Sequence, residues 1–402
     1  NGNTVTLPSG GSGSNTYTNG LTLTGSTVRL GGALTQATYL DLNSSDLYFE
    51  GTGMGDITFE GNSGQPVMQT NFGDDYINFG VYKPGLEKSK VVKDKIKNIL
   101  FIAGDTKHRH GFHEYKAGSI ILANALNESG LPVSANVHWY GWPEDESIFK
   151  DVDACIIYAD GGGEFGDKYA FLDQKVKGGM GIMFMHYGVH PTKEVAEKYY
   201  HSWIGGFYDD DFSVNPSWVA NITPKKNHPV GRGVDSLTAY DEFYWNLNFP
   251  DPGNCKHCYP LATAIPTEKN MIRYGSSKFW NKKAEDKLGT PQALLWCSDP
   301  AKGARGAGFV GGHYHRNWAI ENYRKLILNT IAWVARVNVP EDGVPSRVVT
   351  KSMLNQNLNR PDFPEEIELP TSEILKQEPG KKPTLGADGR MPPRAPRKPK
   401  KK

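Results

Sequence analysis

Between residues 98 and 338 this chain alternates short, almost wholly apolar runs with longer stretches of helical spacing. That alternation narrows the fold more than any other feature. NILFIAGD (98–105), SANVHWY (134–140), DACIIYADGGG (153–163), MGIMFMHYG (180–188), QALLWCSDP (292–300) and GAGFVGGHYHRNW (306–318) each read as a strand. An apolar run that ends in Gly, Asp or His suits a strand buried on both faces that delivers its last residues to a loop. Residues 114–129 place Ala117, Ile120, Ile121 and Ala125 at helical spacing, 169–177 close at Gly178–Gly179, and 319–337 repeat Leu326, Ile327, Thr330, Ile331 and Val334. Strands separated by helices imply crossover connections. The expected fold over 98–340 is therefore a doubly wound α/β domain with a mostly parallel sheet, of the flavodoxin-like kind.

The rest of the chain has a different texture. Residues 1–83 are rich in Gly, Ser, Thr and Asn, and LTLTGSTVRLGG (21–32), TYLDLNSSDLYFEG (38–51) and DITFEG (56–61) alternate like short strands. This stretch reads as a small β-rich, repeat-like region, and its rhythm resembles segments of phage tail-fibre and bacterial surface proteins. Residues 84–97 read as a charged linker. Residues 190–290 read as an irregular insertion that builds a binding site or lid on the sheet. Residues 341–402 are polar, proline-rich and lysine-rich, and are expected to be a largely disordered tail. A formal net charge of +1 gives no global pull toward nucleic acid or an anionic membrane. The sequence contains no apolar run long enough to span a bilayer. The chain opens at Asn1, as a mature form or a fragment would, and its surface-like start favours export. Of the four cysteines only Cys255 and Cys258 are close (CKHC), which reads as a loop or a local disulfide before it reads as a metal site.

Five segments carry candidate chemistry. HRHGFHE (108–114) puts His108, His113 and Glu114 in a loop at a helix start. YADGGGE (158–164) brings Gly162 and Gly163 to a strand end, where backbone N–H groups can approach a ligand. GGMGIMFMHYGVHP (178–191) has the strand-and-sharp-turn form of a nucleophile elbow with His186 at the turn. YDEFYW (240–245) sets Asp241, Glu242 and Tyr244 among aromatics, a composition suited to sugars. GGHYHRNW (311–318) carries His313 and His315 two apart, on one face if the strand continues, followed by Trp318. A histidine-rich set with one carboxylate suits Zn²⁺ or Mn²⁺. The candidate metal ligands are His108, His113, His186, His313 and His315. The candidate acid–base residues are His186, Glu114 and His313. Gly162, Gly163, Asp241, Glu242, Tyr244 and Trp318 are candidate substrate contacts.

In order and spacing these motifs resemble the ThuA-like (trehalose-utilisation) family over about 97–338. His108, Gly111, His113 and Glu114 fit its H-x-x-G-x-H-E segment, and His186 its strand ending in histidine. Asp241, Glu242 and Tyr244 fit its D-E-x-Y segment, and His313, His315 and Trp318 its final G-H-x-H/W segment. The resemblance implies a class I glutamine amidotransferase-like fold and a role in disaccharide breakdown, in some members through 3-keto sugars. In the amidotransferase relatives the elbow holds a cysteine. Here it holds His186, so no glutaminase activity is expected. What remains is a carbohydrate substrate handled by histidine- or metal-assisted proton abstraction and cleavage of the glycosidic bond, with no nucleotide cofactor. The alternative is a non-catalytic carbohydrate-binding or surface-associated module.

Overall fold

The computed structural model describes residues 95–392, apart from 106–107, 163–164, 251–254, 276–278 and 362. It also describes five short N-terminal strands. Of these, Asn15–Tyr17, Leu21–Thr24 and Thr27–Leu30 pair antiparallel in sequence order, and Ile57–Phe59 pairs with Met68–Thr70. The run at 38–51, the linker up to residue 94 and Gly163 lie outside the described residues.

The α/β domain is built on ten strands: β1 (Lys97–Ala103), β2 (Val133–Trp139), β3 (Ala154–Tyr158), β4 (Gly181–Met185), β5 (Ser217–Pro224), β6 (Leu237–Asp241), β7 (Cys258–Ala264), β8 (Met271–Arg273), β9 (Gln292–Ser298) and β10 (Gly306–Phe309). They form one sheet in the order β6-β5-β7-β9-β10-β4-β3-β1-β2, with β8 paired to β5. From β10 to β2 every neighbour is parallel. From β10 outward to β6 every neighbour is antiparallel. The sheet is thus mixed. Its parallel half follows the expected crossovers, with α1 (Tyr115–Asn127), α2 (Lys168–Lys177) and α3 (Glu321–Val334) as the main helices. The antiparallel half comes largely from the 190–290 segment that read as irregular, because β5, β6 and β7 are interrupted by polar residues or proline and β8 is only three residues long.

Strands β3 and β4 are buried throughout, the state their continuous apolar runs require. Helix α3 is buried along most of its length. Arg324, 1% exposed, donates from its guanidinium to the carbonyls of Trp318 (2.6 Å) and Arg347 (2.9 Å) and to Ser346 Oγ (3.1 Å), so each nitrogen of the buried charge has an acceptor.

Two expectations are corrected here. Strand β10 ends at Phe309, so the stretch expected to continue it through residue 318 is a loop followed by a short turn at His315–Ala319. Residues 341–392 are not a disordered tail. They run over the domain and bury Val344, Val349, Leu354, Leu358 and Ile367, widely spaced apolar residues that fix a strap without any secondary-structure period. The last ten residues lie outside the described region.

Candidate functional site

Four loops at the carboxyl edge of the parallel strands bring His113, His186, Glu242 and His313 together. One donor atom from each lies within 4.8 Å of the others, a group able to hold a metal ion. His186 Nε2 is 3.4 Å from His113 Nε2 and 3.2 Å from His313 Nδ1. Glu242 Oε2 is 3.8 Å from His186 Nε2 and 3.5 Å from His313 Nδ1. His186 occupies the elbow after β4 with φ +49°, and His113 has φ +53°. A left-handed backbone at a residue other than glycine costs about 1–3 kcal/mol and persists where the surroundings impose it. Here it aims both rings at one point.

The far nitrogens set the tautomers. His186 Nδ1 donates to the Val310 carbonyl at 3.0 Å, which leaves Nε2 with its lone pair toward the group. His113 Nδ1 donates to Tyr115 Oη at 2.5 Å, and that hydroxyl donates to Asp160 Oδ1 at 2.5 Å. His113 Nε2 therefore also presents a lone pair inward. Burial pushes His113 down to about 4 and holds His186 and His313 well below the ordinary histidine value, so all three rings are neutral. Burial, reinforced by the charge of Asp241, raises Glu242 to about 8. Burial also disfavours ionised Asp160, but hydrogen bonds from His108, His113 and Tyr115 outweigh it and keep its carboxyl below the usual range.

A pocket of about 220 Å³ opens over this group, and Tyr187, His190, Tyr208, Asn215, Tyr244 and Phe279 complete its lining with His108. Two histidine–aspartate pairs belong to it: His108 Nε2 lies 3.4 Å from Asp160 Oδ1, and His190 Nε2 lies 3.0 Å from Asp210 Oδ1. His108 stacks on His113 with centroids 3.7 Å apart, and it joins a second set of potential ligands, His108, His113 and Asp160, rather than the main four.

Other expected site residues lie elsewhere. His315 is fully buried away from the group, and burial pushes it down to about 3. Because β10 has already ended, strand alternation does not bring its ring beside His313. Glu114, 1% exposed, accepts from the N–H groups of Gly111 (3.0 Å) and Asn359 (2.8 Å). Its carboxylate holds a loop to the strap and does not reach the pocket. Asp241 accepts from Gly312 N (2.9 Å), Tyr314 N (3.1 Å) and Tyr323 Oη (2.7 Å), which consumes it as the buckle of the loop carrying His313. Trp318 is core, edge-on to Tyr158 and Tyr323. Gly162 N donates to the His190 carbonyl (2.8 Å) and is not free for an oxyanion. Asp160 and His190 lay inside motifs that the sequence had already singled out. Tyr115, Tyr187 and Tyr208 looked like ordinary aromatics, and Asn215 carried no signal.

Neither free cysteine belongs to the site. Cys155 and Cys297 are buried in β3 and β9, and burial raises both thiols. Cys255 and Cys258 form a disulfide.

A family model described as ThuA, trehalose utilisation, matches residues 99–334. No curated protein sequence matches the chain. Among solved structures, a thua-like protein from Bacteroides uniformis ATCC 8492 is similar at 14% identity and TM-score 0.44, over 63% of this chain and 95% of that one. A thua-like protein from Parabacteroides merdae ATCC 43184 is similar at 17% identity and TM-score 0.42, over 64% and 94%.

Proposed function

This chain belongs to the ThuA family, described as trehalose utilisation, and we propose that it acts on a carbohydrate at a divalent metal ion, Zn²⁺ or Mn²⁺, held by His113, His186, His313 and Glu242. The observation that carries this reading is the set of inward lone pairs. The inward-facing nitrogens of neutral His113 and His186, 3.4 Å apart, repel unless a proton or a cation lies between them. Three neutral nitrogens and one carboxylate, with the rings of His113 and His186 anchored from behind, fit a catalytic Zn²⁺ or Mn²⁺ site. The bound ion would supply positive charge to a substrate oxygen that becomes negative during reaction.

The chain's own groups supply the proton chemistry. The substrate class we assign is a 3-keto-glycoside, in which the ketone makes the neighbouring C2 proton acidic. One imidazole of the two histidine–aspartate pairs, His108 or His190, takes that proton. The C–H electron pair becomes the C1–C2 double bond as the C1–O bond breaks, and the departing oxygen takes a proton from the other imidazole. In each pair the aspartate orients its ring. Tyr187, Tyr208 and Phe279 offer faces for the C–H surfaces of a sugar, and Asn215 and Tyr244 offer polar groups. At about 220 Å³ the pocket is smaller than the roughly 300–1,000 Å³ of drug-sized ligand sites, which suits a single ring. The Cys255–Cys258 disulfide supports export to an oxidising compartment.

The test is metal analysis of the purified chain together with turnover of 3-keto-disaccharides by metal-stripped and reloaded protein. A stoichiometric ion and activity that returns on reloading are expected. Equal inertness of both forms, with sugar bound but unchanged, would instead favour the carbohydrate-binding alternative.

A further inference from the structure

Outside the pocket, the described residues contain one adjacent pair of exposed large aromatics, Trp139 (41% exposed) and Tyr140 (59%). Trp139 ends β2, the strand at the margin of the parallel half, and Tyr140 follows it. In extended backbone, neighbouring side chains point to opposite faces. Tyr140 departs from that rule with φ +71°, a conformation unfavourable for any residue but glycine. As a result both rings meet one cation: Lys116 Nζ lies 4.8 Å from the Trp139 centroid and 5.5 Å from the Tyr140 centroid. The turn is fastened where Gly141 N donates to the Ala103 carbonyl at 3.0 Å, and Trp142 then returns to stack on Phe149. Trp139 and Tyr140 are both turned outward, and the strain at Tyr140 is retained although no core packing rewards it.

The position of this pair is informative. Along the carboxyl edge the strands run β2, β1, β3. At ~4.8 Å per strand, the end of β2 is about 10 Å from the end of β3, which is followed by Asp160, the partner of the pocket residue His108. Lys116 directly follows Tyr115, the residue that links His113 to Asp160. Two side chains fall far short of the roughly 1,000 Å² that a stable protein interface buries. Flat aromatic faces beside an ammonium donor match a pyranose ring, which has an apolar C–H face and a rim of hydroxyl acceptors.

We propose that Trp139, Tyr140 and Lys116 form an outer carbohydrate subsite, taking a further pyranose unit of a glycoside whose terminal ring occupies the pocket. The proposal rests on the carbohydrate reading of that pocket.

The test titrates the full chain with the 3-keto forms of glucose, trehalose and maltotriose (oxidised on the non-reducing ring), followed by tryptophan fluorescence and calorimetry. The maltotriose form is expected to bind at least tenfold more tightly than the glucose form. Trp139→Ala should remove that preference and leave glucose affinity unchanged. Tyr140→Gly separates function from folding, because glycine adopts positive φ freely. It should raise the thermal midpoint and still weaken maltotriose binding severalfold. Preference for maltotriose that survives Trp139→Ala, or glucose bound as tightly as maltotriose by the unaltered chain, overturns the subsite alone. Failure of all three sugars to bind overturns the carbohydrate reading and the subsite with it.

Discussion

His113 illustrates how much one residue's environment decides. Its ring is neutral because it is buried, oriented because Tyr115 holds Nδ1, and aimed because its φ is +53°. Removing the Tyr115 hydroxyl frees the ring to rotate without emptying the core. Tyr115→Phe should therefore lower metal affinity about 10–100-fold, as losses behind a metal-ligating histidine do. Competition against a chelator measures this, and an unchanged affinity would detach the Asp160–Tyr115 pair from the site. Two other histidines make the domain acid-sensitive. His228, which accepts from Val230 N at 3.2 Å, is pushed down to about 4 by burial, and His315 to about 3. Both values lie below the ordinary 6.5, so on acidification the unfolded chain takes up these protons first. The stability they contribute is complete above pH 6.5 and is lost as pH falls from 6.5 through 4 toward 3. Urea unfolding midpoints should decline over that window, and His228→Asn should make the decline shallower.

At the scale of elements, two buried carboxylates position the loops that carry His113 and His313. Asp241, at the end of β6, holds the Gly312 and Tyr314 amides. Hydrogen bonds to a charged group contribute about 1.5–3 kcal/mol each, so Asp241→Ala should destabilise the domain by at least that much and misplace His313. Glu114 holds the Gly111 amide on one oxygen and the strap residue Asn359 on the other. Glu114→Ala should cost about 1–3 kcal/mol for each donor left buried and unpaired, and should weaken metal binding through His113. Thermal unfolding and metal titration of the two variants check both effects. A stability loss with unaltered metal affinity would show that neither loop positions the ligands. From sequence these two acids were indistinguishable from pocket groups. Both stand beside members of the His113–His186–Glu242–His313 cluster, Glu114 after His113 and Asp241 before Glu242.

At the scale of the whole domain, the first part of the strap meets α3 at Arg324 and Asn329 and the end of α1 at Glu128, and Leu354 is completely buried. Leu354→Ala should destabilise by about 2–5 kcal/mol, the usual range for a buried leucine. A surface residue would cost almost nothing, so the midpoint shift distinguishes a packed strap from a loose tail. The strap escaped detection because Val344, Val349, Leu354, Leu358 and Ile367 follow no strand or helix period. Among so many Pro, Lys and Glu residues, composition alone reads as disorder. Strands β5 to β8 of the antiparallel half escaped for a related reason, since they lack the unbroken apolar runs that mark β3 and β4, whereas β9, with ALLWC, was legible as a strand.

What the amino-acid sequence determined by itself is the parallel half of the sheet, the helices α1, α2 and α3 and the elbow at His186. These features depend on local periodicity and on residues near one another in the chain. Membership of the histidine cluster was partly legible too, because His113, His186, Glu242 and His313 each stand at or near a strand or loop end within a recognisable motif. Only the tertiary structure decided which of their neighbours share the site. His315, Glu114, Asp241 and Trp318 turn into the protein, while His190, Tyr187, Tyr208 and Tyr244 line the pocket and Asp160 stands behind His108. That division depends on where β10 stops and on hydrogen bonds between residues as far apart as 114 and 359, and neither follows from sequence spacing.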